Sequence, residues 1–85
     1  MKEVRVGGVT GYFAHVEAAA IELNGDLKIG DTIHIKGHTT DLEQKVDSMQ
    51  IENDSVENAR AGDSVGVKVK ERVRRHDVVY KVIDK

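Results

Sequence analysis

The chain has 85 residues, of which 39% are apolar and 33% charged, with a formal net charge of −2 and no cysteine. A chain of this length holds one core and buries only about 60 to 65% of the surface its unfolded form exposes, which excludes a two-domain enzyme. Without cysteine there is no disulfide, thiolate metal site or thiol nucleophile, and the negative balance excludes a uniformly basic nucleic-acid binder.

Met1 is followed by KEVRV rather than an apolar signal region, and no run approaches the roughly 18 apolar residues needed to cross a bilayer. A cytoplasmic protein with no membrane partner is therefore expected. Six strands are expected in chain order, near 3–10, 13–23, 31–37, 42–52, 63–71 and 77–83. The second includes EAAAIEL (17–23), whose alanines and glutamates favour helix but which ends at a tight Asn24-Gly25 turn. In the third, Ile33 and Ile35 alternate with Thr32, His34 and Lys36, and in the fifth Val65, Val67 and Val69 alternate with Ser64, Gly66, Lys68 and Lys70. This is the period of half-buried strands.

Both of these strands open on Gly-Asp, at Gly30-Asp31 and Gly62-Asp63, which reads as turn chemistry used twice rather than as a duplication. Further turn signals fall at Asn24-Gly25-Asp26, Lys36-Gly37-His38, Glu52-Asn53-Asp54 and Arg75-His76-Asp77; the chain has no proline. Between the fourth and fifth strands, DSVENAR (54–60) reads as one short helical turn capped by Asp54, or as an irregular loop burying Val56 and Ala59. The expected fold is all-β, one domain over 1–85, with the short strands closed into a barrel that leaves no exposed edge.

No motif for chemistry emerges. There is no Gly-Lys-Ser or Gly-Lys-Thr phosphate loop. His34 and His38 lack the glutamate and helix of a metalloprotease site, and His15-Val16-Glu17 lacks the cysteine pair of a zinc deaminase. The serines have no glycine-flanked elbow and no histidine spaced as a base. The expectation is a non-enzyme with no catalytic residues, cofactor or metal. Charge is uneven, however: residues 41–63 carry seven acids and two bases, and residues 68–85 seven bases and three acids. Either the molecule is electrically polar, or the fold interleaves these segments and pairs their charges across strands.

The segment from Gly30 to Val69 resembles the second domain of the elongation factor Tu superfamily of translation GTPases. The resemblance is carried by GDTIHIKG and by Val46, Ser48, Met49, Gln50, Ala59, Gly62, Asp63, Val65 and Gly66 in that order, and Gly8-Val9-Thr10 and DVVYKV resemble its first and last strands. It implies a six-stranded Greek-key closed barrel without a GTPase domain, acting as a non-catalytic module that binds RNA or a ribosome-associated partner. Family members that hold the acceptor end of transfer RNA commonly have glutamate where Gln50 stands. The residues expected to bind RNA or a partner are Lys68, Lys70, Arg72, Arg74, Arg75, His76 and Gln50, the cations through phosphates. Only Tyr12, Phe13 and Tyr80 are available for base stacking. The alternative is an accessory protein-interaction barrel, expected to be a monomer, that works with a separate enzyme such as a collagenase-like peptidase.

Overall fold

A computed structural model describes residues 2–83. Its strands are β1 (Lys2–Phe13), β2 (Ala18–Leu23), β3 (Leu27–Lys28), β4 (Thr32–Lys36), β5 (Asp41–Lys45), β6 (Met49–Ile51), β7 (Asp54–Val56), β8 (Asn58–Ala59), β9 (Ser64–Lys68) and β10 (Val78–Ile83). Eight of them form one antiparallel sheet in the order β5-β4-β10-β1-β2-β9-β6-β7, and β3 pairs separately with β8. The fold is all-β, as the alternating pattern requires, and Ile21, Ile33, Ile35, Val46, Val67 and Val79 lie fully buried in its core.

The long strand β1 serves two neighbours. Its first half pairs with β10 and its second with β2, and the register shifts between Arg5 and Gly7 and again between Val9 and Gly11. Such irregularities bend a strand and raise its local twist, which lets one strand turn from one neighbour to the other.

Three strands leave the same turn. Asp31, Asp63 and Asp77 each donate their backbone N–H to the carbonyl three residues back, on Lys28, Arg60 and Arg74, at 3.1, 3.0 and 3.1 Å. Each aspartate side chain then accepts the N–H of that same basic residue, at 3.0, 3.0 and 2.8 Å. The third position has φ of 96° at Gly30, 96° at Gly62 and 79° at His76. That is a type II turn closed by its own carboxylate, and the positive φ explains glycine in two of the copies. A buried apolar residue precedes each basic one (Leu27, Ala59, Val73), and another follows each aspartate by two positions (Ile33, Val65, Val79). The Gly-Asp signal therefore belongs to a turn used three times, the third with histidine at the strained position. Asp77 is further held by the close approach of Gly37, where a Cβ would collide with its carboxylate.

Three expectations need correction. Residues 54–60 form no helical turn: Glu52 and Asn53 have φ of 51° and 69°, and this two-residue turn sends the chain back as β7 against β6. The Asp54 carboxylate thus caps nothing, because hairpin pairing outcompetes a one-turn helix. The six expected strands become ten, because the stretch 42–52 breaks at Val46–Ser48, β7 forms at 54–56, and two-residue strands appear at 27–28 and 58–59. The sheet does not close into a barrel, since β5 and β7 stand at its ends without a ladder between them.

A side chain spans part of that gap. Gln44, buried in β5, donates from Nε2 to the carbonyl of Lys68 at 2.9 Å and accepts the N–H of Lys70 at Oε1 at 2.8 Å. One amide supplies the donor and acceptor that a paired strand would have offered. Gln44→Ala is expected to cost about 2 kcal/mol, through two lost bonds and two part-buried backbone groups left unpaired, read from the urea unfolding midpoint. An unchanged midpoint would show that the amide does not hold β5. His76→Gly is expected to raise stability by about 0.5 kcal/mol by removing the left-handed penalty, measured in the same titration; a loss would mean that the histidine side chain supports the turn.

Candidate interaction surfaces

On the outward face of β1, β10, β4 and β5, direct cross-strand partners place Arg5, Tyr80, His34 and Glu43 in one row. His34 Nδ1 lies 2.6 Å from Glu3 Oε2, and its Nε2 is bonded to Asp41 Oδ1. Lys36 Nζ reaches Glu3 Oε1 at 2.9 Å and sits 5.2 Å from the centre of the Tyr80 ring. With a carboxylate on each ring nitrogen, His34 satisfies both only as the imidazolium, which donates twice. The bonds to Asp41 and then Glu3 raise its pKa, although its side chain is only 15% exposed. The bonds from His34 and then Lys36 hold the Glu3 carboxyl below its usual range, and Glu3 in turn raises the pKa of Lys36.

The outward face of β1, β2, β9 and β6 is different. Here the cross-strand row runs Gly11, Ala20, Gly66, Gln50 and Ser55. Ala19, Ile21, Val65 and Val67 point into the core, so the intervening small residues are left outside. Of this row, Ala20, Gly66 and Gln50 floor an open groove of about 670 Å³ walled by Phe13 at the end of β1 with His15 and Val16 on the β1–β2 turn, and by Glu52 and Asn53 on the β6–β7 turn. Phe13 is 52% exposed and Val16 49%.

The structure separates the residues expected to bind RNA or a partner. Gln50 and Lys68 both line the groove. Lys70, Arg72, Arg74, Arg75 and His76 lie exposed along the β9–β10 connection, where Val69 and Val73 are buried between them. Arg72 sits 5.6 Å from the Tyr12 ring centre, and Arg74 Nε donates to Thr39 Oγ1 at 3.1 Å. Among the described residues no ion pair joins the acidic stretch 41–63 to the basic stretch that follows Lys68; Asp41 pairs instead with His34, and Lys81 approaches Asp31 at 3.9 Å. No three metal-ligating side chains are grouped to hold an ion among the described residues.

Sequence reasoning weighed His34 only as half of a metal pair with His38 and missed the two carboxylates, which lie 31 residues before it and 7 after it. It also missed the groove. The signal was present in the alanines of 18–20, which suit neither a buried strand nor an ordinary outward face.

No protein-family model matches the chain. It is 48% identical over 80 residues to an uncharacterized protease of Methanocaldococcus jannaschii, covering 93% of this chain and 20% of that protein. It is 38% identical over 82 residues to a collagenase of Porphyromonas gingivalis, covering 94% of this chain and 20% of the collagenase. The likeness is to one part of a protease. This chain spans about one fifth of the length of these curated relatives. Among solved structures, the C-terminal domain of a Geobacillus thermoleovorans protein described as a U32 peptidase superposes with a TM-score of 0.87 over 94% of this chain and 93% of that one. Its selenomethionine variant gives 0.84 over 88% and 95%. At 20% identity in both cases, what is shared is the fold.

These relatives overturn the resemblance to elongation factor Tu, and with it the translation-factor and RNA-binding reading. The physical reason is visible in the motifs that carried it. GDTIHIK and ARAGDSVGV are a carboxylate-closed turn followed by a half-buried strand, turn chemistry this chain uses three times.

The Glu3–His34–Asp41 network has a definite pH signature. A histidine raised above its ordinary pKa, about 6.5, stabilises the fold fully below that value and loses the contribution as pH rises through the raised one. Glu3, held below about 4.3, contributes above that value and fails as pH falls through its lowered pKa. The stability difference between the native chain and His34→Gln is therefore expected to peak near about pH 5 to 6 and to shrink above it, followed by urea unfolding from acid to alkaline pH. An NMR titration placing His34 at or below the ordinary value would remove the basis for this.

Proposed function

We propose that this chain is a non-catalytic accessory domain of a peptidase, working with a catalytic region that corresponds to the other four fifths of its curated relatives. The observation that carries the reading is the 48% identity over 80 residues to a protease of which those residues are only 20%. Two further features support it. The outward faces offer a groove and a charged network rather than a constellation of nucleophile, base and oxyanion donors. The matching fold in the Geobacillus protein is its C-terminal domain. An accessory domain contributes binding energy remote from the reacting bond, and such energy accelerates the catalytic step when it positions the substrate.

The test is a chimaera. In the Porphyromonas collagenase, removal of the segment aligned with this chain is expected to lower gelatin cleavage by about tenfold or more, and residues 2–83 grafted in its place are expected to restore most of it. The isolated 85-residue chain is expected to cleave no peptide bond. Cleavage by the isolated chain, or a graft that folds and restores nothing, would overturn the proposal.

A further inference from the structure

We infer that the groove between the β1–β2 turn and the β6–β7 turn binds an extended, uncharged stretch of polypeptide: the substrate chain of the peptidase. The word substrate rests on the accessory reading; the binding itself is a property of this chain.

Three observations converge on a polypeptide. The first is apolar exposure in one place: Phe13 and Val16 are two of the four exposed large apolar side chains in the molecule's described part, and both stand on one wall. Apolar walls with a polar rim mark contact surfaces. The second is the floor. Gly66 is mid-strand, where glycine weakens a sheet, and a Cβ built there meets nothing within 4 Å. Open glycine in a strand marks a place where another backbone approaches closely, and its direct neighbours Ala20 and Gln50 add a second small side chain and an amide. That amide can donate and accept at once, as a peptide backbone requires.

The third observation is charge. Among lysines, arginines and carboxylates, the groove is lined by Lys68 and Glu52, one of each sign, with His15 beside them. A polyanion would find one cation there and one repelling carboxylate, whereas nucleic-acid sites gather several lysines and arginines along the backbone track. The remaining cations of the basic stretch, from Lys70 to Arg75, do not line this groove. An uncharged chain with apolar side chains matches the Phe13–Val16 wall and the balance of charge.

Fluorescence anisotropy tests this with a short capped peptide of alternating serine and leucine carrying fluorescein, titrated with the 85-residue chain. Binding is expected, and Phe13→Asp is expected to weaken it about tenfold, the scale of losing one interface anchor. Gly66→Trp, which fills the open floor and displaces no atom within 4 Å of the new Cβ, is expected to do the same with an unchanged circular dichroism spectrum. Arg75→Ala, outside the groove, is expected to leave binding as it was. The inference is overturned if the folded chain leaves the peptide's anisotropy unchanged, if neither groove variant weakens binding, or if an oligouridylate of equal length binds better. It is equally overturned if sedimentation shows a second copy of the chain seated at the groove. A chimaera that regains gelatin cleavage while the isolated chain ignores the peptide would sink this inference and leave the accessory reading standing; peptide binding beside an inactive graft would do the opposite.

Discussion

The sheet has two ends, and the bond that ties one of them down is an amide from a side chain. Gln44 presents a donor and an acceptor to the backbone at Lys68 and Lys70, so the edge strand β5 is held against the segment leaving β9 although no ladder joins them. An unpaired edge is a template for association with other chains. The amide covers part of that edge, and β5 presents charged Asp41, Glu43 and Lys45 outward along the rest. The outward face of β5, with Asp41 beside His34, depends on this arrangement, because Gln44 can reach Lys68 and Lys70 only from the core side of its strand.

The two faces then diverge through side-chain size. Over β1, β10, β4 and β5 the outward residues are long and charged, and they bond to one another around His34. Over β1, β2, β9 and β6 the middle of the outward row is Gly11, Ala20 and Gly66, and the surface beside it is hollow. A sheet with a tethered charged face and a bare face has one side suited to stability and one to contact. The accessory role proposed above draws on that division together with the one-fifth match to proteases.

Much of the fold could be read from local pattern. Ile33 and Ile35, Val65 and Val67, and the turn residues Gly30, Gly62, Glu52 and Asn53 sit where alternation and turn chemistry put them. The misreadings share one cause. Gln44 acts across 24 and 26 residues, and Glu3 acts on His34 across 31, separations at which sequence spacing carries no signal. DSVENAR was misjudged because a capping pattern is a weak local preference that strand pairing overrides. The groove escaped notice because alanine has two meanings, helix former and deliberate vacancy, and only the sheet register distinguishes them. Function was misread for a related reason: motifs built from turn-and-strand chemistry recur wherever that chemistry is useful, so their order was weaker evidence than it looked.

The three carboxylate-closed turns also bear on how the chain reaches this fold. Antiparallel sheets dominated by distant pairings fold slowly, since loop-closure entropy must be overcome before contacts repay it. Each of these turns needs only four consecutive residues, and each sits immediately before a strand of the main sheet: β4, β9 and β10. The unfolded chain thus contains three short segments able to form without help from the rest. They set the starting point and facing of three strands before any long-range partner arrives, and so reduce the number of wrong registers the search must discard.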